Sequence, residues 1–222
     1  MSRSIFWCIV RRDLRFGGVL IAVGLILGIA GFAFAGHGKV GSFMSMLLLI
    51  CAGLAPGIFI CSLFIWTERK DKSRVFALSL PISPARYAVA KCVAALLAYV
   101  TPWAVLAAVA ISGYTLLSVP SGSAPLFATL WLFLLDLFCF FLCITLVSDS
   151  DALFTAGIVL VNTSIAPFLF FVQNIPSIGS HVTDTRAFWS PTALTTMGIE
   201  VVVAVGAIGF TAYRISRMRD FV

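Results

Sequence analysis

Charged side chains are scarce in this sequence. Asp, Glu, Lys and Arg make up 11% of its 222 residues, whereas an average soluble domain contains about 25%. Hydrophobic residues make up 61%, and the mean hydropathy is +1.08. This composition excludes a water-soluble fold, because too few polar side chains remain to cover a solvated surface.

Signatures of catalysis and of metal binding are also missing. The sequence contains no G-x-x-x-x-G-K-[ST], H-E-x-x-H or G-x-S-x-G motif. Its two histidines, His37 and His181, fall in predicted loops, and its six cysteines show neither a disulfide framework nor a C-x-x-C spacing. We therefore expect a chain that is not an enzyme and that holds no metal or cofactor of its own.

Six apolar runs are long enough to cross a bilayer, which takes about 20 residues per helix. They occupy residues 17–35, 43–66, 88–117, 126–147, 152–172 and 194–213. In hydrocarbon, backbone groups must be bonded within their own segment unless strands close a barrel, and these runs lack the alternation of barrel strands. The sequence therefore predicts an all-α membrane protein with six transmembrane helices in one domain, residues 17–222.

The basic residues are distributed unevenly between the predicted loops. Of the 15 Lys and Arg residues, 13 lie before the first span, between the second span and the first turn of the third, or after the last, and only Lys39 and Arg186 lie in the other loops. Positive residues are retained in the cytoplasm, so both termini should be cytoplasmic in a bacterial inner membrane. The net charge of +6 then indicates contact with anionic lipid rather than nucleic acid.

Residues 1–16 combine apolar residues at helical spacing with four arginines. Ile5, Phe6, Ile9 and Val10 recur every three to four positions, while Arg3, Arg11, Arg12 and Arg15 supply charge. This pattern favours an amphipathic helix lying in the membrane interface. The alternative is an ordinary basic flank that only fixes the topology of the first span.

The loop between the second and third spans, residues 67–87, contains the most informative motif. The motif runs from Glu68 in this loop to Lys91 at the start of the third span and reads ERKDKSRVFALSLPISPARYAVAK. It resembles the corresponding segment of the type-2 ABC-transporter permease family. Members carry a Glu-led polar helix, a turn near L-x-S-L-P-I-S and then A-K entering the third span. Arg74 and Val75 replace the Gly-Thr pair of many members, which leaves the subfamily and the substrate open.

The resemblance implies a permease subunit without its own ATPase domain. Two separate ATPase subunits would bind ATP and Mg²⁺, and a second permease chain would complete a homodimer or heterodimer. The loop would act as the docking element for an ATPase subunit. Its candidate coupling residues are Glu68, Arg74, Phe76, Leu78, Leu80, Pro81, Ser83 and Arg86.

The residues of this loop support an interaction surface independently of the family. Pro81 and Pro84 cannot continue a helix, so one helix should end near Leu80 and another should begin near Pro84. An apolar patch lies within the charged loop, and such patches favour a partner. Equally, the patch could pack on the protein's own helix ends or dip into the interface. The patch consists of Val75, Phe76, Leu78, Leu80 and Ile82.

Two acidic residues lie inside predicted spans. Asp136 is near the middle of the fourth span and Glu200 is about two turns into the sixth. An ionised carboxylate at the bilayer centre costs about 2.5–3.5 kcal/mol on insertion scales, so such residues are candidates for a transport pathway. The structural alternative is that each accepts hydrogen bonds from neighbouring helices.

Prolines and glycines within the spans predict local features of the bundle. Pro56, Pro102 and Pro167 each favour a kink. Gly24 with Gly28, and a similar pair in the second span, provide small faces for close helix approach. Packing within the chain is the default role of these faces, and a dimer contact is the alternative.

Small outer loops leave little room to capture a soluble substrate, so we expect an exporter of a hydrophobic or amphipathic cargo.

A stand-alone transporter or channel would show inverted repeats, and none is evident. An intramembrane enzyme would need more convergent polar groups than Asp136 and Glu200. A non-transporting membrane scaffold or immunity protein stays open as a further alternative.

The predicted topology can be tested with single cysteines in a background that lacks the native ones. Because of the asymmetry in basic residues, Ser180→Cys should react with an impermeant thiol reagent in intact cells. Ser73→Cys should react only after the cells are opened. Labelling of Ser73→Cys from outside would contradict the predicted orientation.

Overall fold

The computed structural model describes residues 2–35, 37–70, 83–116, 121–182 and 184–217. Those residues form helices joined by short connections, without a β-strand among them. The helices are α1 (Ser2–Phe34), α2 (Gly38–Cys61), α3 (Thr67–Lys70), α4 (Pro84–Leu116), α5 (Ala124–Val147), α6 (Asp151–Thr163), α7 (Ile165–Gln173), α8 (Pro176–Gly179) and α9 (Pro191–Ser216). A π-helical turn, Ser62–Trp66, links α2 to α3, and a 3₁₀ turn, Ser121–Ser123, precedes α5.

Six helical segments of the described residues are long and apolar enough to cross a membrane, which confirms the predicted number of spans and the all-α class. They are Ile5–Phe34, Phe43–Trp66, Ala85–Ser112, Ser121–Val147, Asp151–Gln173 and Pro191–Ser216. Helix α4, which forms the third span, begins at Pro84, as predicted from the proline. Its pyrrolidine ring suits the first turn of a helix, where the missing N–H has no intrahelical partner.

The first helix is longer than predicted. Helix α1 runs from Ser2 to Phe34 as 33 continuous residues, so no break separates residues 2–16 from the first span. At 1.5 Å per residue it is about 50 Å long, which exceeds the hydrocarbon thickness of about 30 Å. The location of its first turns in the membrane interface stays a prediction.

Helix α5 occupies the interior of the bundle. It packs against α9 and α2, whereas α1 packs against α2 and α4. Two reciprocal hydrogen bonds join α4 to α5: the indole N–H of Trp103 donates to the carbonyl of Trp131 over 3.0 Å, and that of Trp131 donates to the carbonyl of Trp103 over 3.2 Å. The Tyr99 hydroxyl adds a bond to the Leu134 carbonyl at 3.1 Å. Buried indole and phenol groups are thereby satisfied.

Glycines allow the first two spans to approach their neighbours closely. A Cβ on Gly24 would lie 2.8 Å from Pro56, and one on Gly28 would lie 2.4 Å from Leu106. In the second span, a Cβ on Gly53 would lie 2.6 Å from Leu134. These faces therefore serve packing within the chain, the role expected by default.

Two spans depart from regular α-helix. The fifth is interrupted at Ser164, between α6 and α7. Pro167, three residues later, lacks the N–H that would bond the Thr163 carbonyl, which explains the break. The second ends in the π-helical turn Ser62–Trp66, a wider turn that often lies at functional sites and that the sequence did not predict.

The glycine contacts predict unequal effects of two alanine substitutions. Gly28→Ala should lower thermal stability by about 1–3 kcal/mol, because the new methyl group overlaps the buried Leu106 side chain. Gly209→Ala is the matched control, since a Cβ at Gly209 meets nothing within 4 Å. Thermal unfolding in detergent would measure both, and equal stability of the two variants would contradict the packing described.

Candidate functional site

Five polar side chains from three helical segments meet at the end of the bundle where α1 and α4 begin. We call them the buried ion cluster after its buried centre, Asp13 and Lys91; Tyr87 is also buried, Glu68 is half-buried and Arg12 is exposed. Arg12 and Asp13 lie on α1, Glu68 lies on α3 just after the second span, and the other two lie on α4. The cluster thus joins the first three spans.

Lys91 is at the centre of the cluster. Its ammonium Nζ lies 2.7 Å from Asp13 Oδ2 and 2.7 Å from Glu68 Oε2. Lys91 and Asp13 are each only 2% exposed. Ion pairs this well buried are rare, and they persist only where geometry and hydrogen bonds offset the loss of hydration.

Arg12 and Tyr87 complete the hydrogen bonding of the two carboxylates. The Arg12 guanidinium donates to Asp13 Oδ1 from Nη2 at 2.9 Å and from Nε at 3.1 Å, and it also pairs with Glu68 Oε1. The Tyr87 hydroxyl donates to Glu68 Oε2 over 2.5 Å. Two cations and two anions therefore balance, so the cluster is electrically neutral.

The local sequence explains why Asp13 is buried. Ile9, Val10, Asp13 and Gly17 recur at helical spacing, and all four lie on the buried face of α1. Gly17 brings that face against Phe64 of the π-helical turn, since a Cβ there would lie 2.7 Å from the ring. The close contact places the carboxylate of Asp13 within reach of Lys91.

The sequence marked Glu68 and Lys91 through the family resemblance, but it did not identify Asp13 as their partner. A helical projection of residues 5–17 contains the signal, because Asp13 is the acidic residue on an otherwise apolar face. Distance along the chain hid the pairing, since 78 positions separate Asp13 from Lys91.

Three of the predicted coupling residues lie within the described part of the chain, and five lie outside it. Glu68 belongs to the buried ion cluster, Arg86 is exposed on α4, and the exposed Ser83 accepts a backbone hydrogen bond from Tyr87 at 3.0 Å. The remaining candidates, and the predicted helix end near Leu80, lie outside the described residues: Arg74, Phe76, Leu78, Leu80 and Pro81.

Asp136 and Glu200 are also buried, at 9% and 6% exposure. They lie on α5 and α9, which pack against each other, and they are close enough for their charges to interact. Within the described residues, Asp136 Oδ1 and both Glu200 carboxyl oxygens have no hydrogen-bond partner. The structural alternative, in which each accepts bonds from a neighbouring helix, is therefore not observed for these three oxygens.

No protein-family model matches this chain, and neither a curated protein nor a solved structure is detectably similar to it. The described residues include six apolar helices that are long enough to span a bilayer. These helices define the chain as a multi-pass membrane protein. Within the described residues, no three His, Cys, Asp or Glu side chains converge in a way that would hold a metal ion.

The buried ion cluster predicts a large effect of removing its central cation. Lys91→Met should destabilise the protein by about 3–5 kcal/mol, because the buried Asp13 Oδ2 would lose its ammonium partner while Arg12 pairs only with Oδ1. Arg15→Met is the matched control, since Arg15 is exposed on the same helix as Asp13. Thermal unfolding of the purified variants would measure the difference.

A compensating substitution separates lost charge from lost packing. Asp13→Leu combined with Lys91→Met removes both charges, so the pair should recover most of the stability lost in Lys91→Met alone. A double variant as unstable as the sum of its single variants would contradict a direct interaction between the two side chains.

Proposed function

We propose that this chain is the transmembrane permease subunit of an ABC transporter, an exporter of a hydrophobic or amphipathic cargo in a bacterial inner membrane. ATP hydrolysis takes place on two separate partner subunits, which hold ATP and Mg²⁺. A second permease chain completes the pathway. The loop of residues 67–87 is the surface that docks an ATPase subunit, and this chain contributes no catalytic residue.

The observation that supports this proposal most strongly is the attachment of both ends of that loop to the first span. Glu68 precedes residues 71–82 and Lys91 follows them, and both pair within the cluster that contains Asp13 of α1. A partner pushing on the loop therefore acts on three spans together. Such rigid attachment suits a docking element, because bistable packed helices transmit a displacement whereas a flexible loop absorbs it.

The outward faces of the bundle fit a cargo and partners that meet the protein within the membrane. Helices α7 and α9 expose large apolar side chains, including Phe170, Phe171 and Val202. In a bilayer such faces contact lipid or another apolar helix, so they accommodate both lipid and a second permease chain. Opposite the ion cluster, described residues of two connections contact each other, because the Gly122 N–H donates to the Asp184 carbonyl at 2.9 Å.

The docking proposal predicts that charge in the apolar part of the loop separates the ATPase from the permease. Leu78→Glu and Leu80→Glu should reduce ATPase co-purification and cargo-stimulated ATP hydrolysis at least tenfold, since a buried unpaired carboxylate in an interface costs more than about 1.4 kcal/mol. Membrane insertion should stay normal.

The matched control is Ser180→Glu, which places the same charge at an exposed position in an opposite loop. It should leave co-purification and hydrolysis unchanged. Wild-type values of both quantities in Leu78→Glu and Leu80→Glu would rule out docking through this patch, whatever the result for the control.

A further inference from the structure

Asp136 and Glu200 are both buried in the interior of the bundle. Asp136 is the 13th of the 24 residues of α5, and Glu200 is the tenth of the 26 residues of α9. Both residues therefore lie well inside their spans. Their helices pack against each other, and the two carboxyl groups are within range of an electrostatic interaction.

Glu200 belongs to the face of α9 that is buried against the bundle. The buried residues of this helix recur at alternating spacings of seven and four positions, which place them on one stripe. They are Ala193, Glu200, Ala204, Thr211 and Ile215. The other members are small or apolar, so the carboxyl group is the one ionisable side chain that the described part of this stripe carries into the bundle.

The helices that pack on α5 or α9 carry their charged residues near their ends, namely Lys39, Arg86, Lys91, Asp151 and Arg214. Lys91 is held by Asp13 and Glu68, and Arg214 is 14 residues beyond Glu200, or about 20 Å along the helix.

Neutral titratable groups are nearer to the pair. Cys139 is three residues after Asp136 on α5, about one helical turn away, and it lies near Cys92 and Tyr99 of α4. The Tyr99 hydroxyl is already used, because it donates to the Leu134 carbonyl. Within the described residues, neither Asp136 Oδ1 nor Glu200 therefore receives a hydrogen bond or a balancing cation.

Three of the four carboxyl oxygens are closed to solvent. Asp136 Oδ1 and both Glu200 carboxyl oxygens are closed to a sphere the size of water, so a hydrated metal ion or an organic amine does not reach these three oxygens. Two buried carboxyl groups on packed helices, with three oxygens that receive no hydrogen bond, favour a neutral form over two ionised ones. A proton compensates a carboxylate without needing any further volume.

We propose that Asp136 and Glu200 form an occluded proton-binding site between α5 and α9, and that release of its protons loosens the contact between these two helices. Protonated carboxyl groups pack as neutral side chains in the closed bundle. Ionised, they repel each other and require water, which enters only when the helices separate. This inference does not rest on the proposed function, because it uses only the burial of the two carboxyl groups, the packing of their helices and the lack of hydrogen bonds to three of their oxygens.

Infrared spectroscopy of the full chain in lipid nanodiscs tests proton binding directly. At neutral pH the wild type should show the C=O stretching band of protonated carboxyl groups, shifted in D₂O. Asp136→Asn and Glu200→Gln should each remove part of that band. The double variant should lack the contribution of both carboxyl groups. An identical band in the wild type and the double variant would overturn the proposal.

The pH dependence of unfolding tests the link to helix packing. A native state that holds protons which the unfolded state releases loses stability as pH rises, by about tenfold in the unfolding equilibrium per pH unit for each proton. Wild-type stability should therefore fall above neutral pH more steeply than that of Asp136→Asn with Glu200→Gln, whose amides preserve shape but cannot ionise. Parallel slopes would overturn the proposal.

If the double variant does not fold, each single variant provides the same comparison. Glu200→Gln should still show the Asp136 contribution to the infrared band. Its unfolding equilibrium constant should rise with pH less steeply than that of the wild type, by up to about tenfold per pH unit. A single variant that keeps both the full wild-type band and the wild-type slope would show that its residue binds no proton.

Discussion

The contact between Lys91 and Asp13 determines the arrangement of one whole end of this bundle. The two side chains are almost completely buried and lie 2.7 Å apart, and Glu68 binds the same ammonium group. Because an unpaired charge in this place would cost several kcal/mol, the start of α1, the end of the second span and the start of α4 are held together. The loop of residues 67–87 therefore leaves and enters the membrane domain at fixed points.

Four acidic residues of the described helices, three of them buried and Glu68 half-buried, occupy two different environments. Asp13 and Glu68 have cations and hydrogen-bond donors, and these contacts join the first three spans. Asp136 and Glu200 lie on two packed helices, and three of their four carboxyl oxygens receive no hydrogen bond from the described residues. The first two residues lie at the end of the bundle and the other two lie within it. The protein thus combines a charged anchor near its loop with two buried carboxyl groups inside its spans.

Composition and the length of the apolar runs were sufficient to predict the helical class and the six spans, because hydrocarbon leaves the backbone few alternatives. Pro84 correctly marked the start of α4. Pairing was harder to predict: the partner of Lys91 lies 78 residues away, and the proximity of Asp136 to Glu200 depends on which helices pack together. No local motif predicts the π-helical turn at Ser62–Trp66, whose Phe64 ring lies against Gly17 of α1.

Hydrogen exchange measured by mass spectrometry in nanodiscs tests most directly whether the buried ion cluster holds three spans as one unit. In Lys91→Met, exchange should increase together in residues 6–15, 62–70 and 84–91, because each segment loses the same anchor. Exchange in α5 and α9 should stay at the wild-type level. An increase confined to residues 84–91 would contradict the account, since it would show that the first and second spans keep their positions without Lys91.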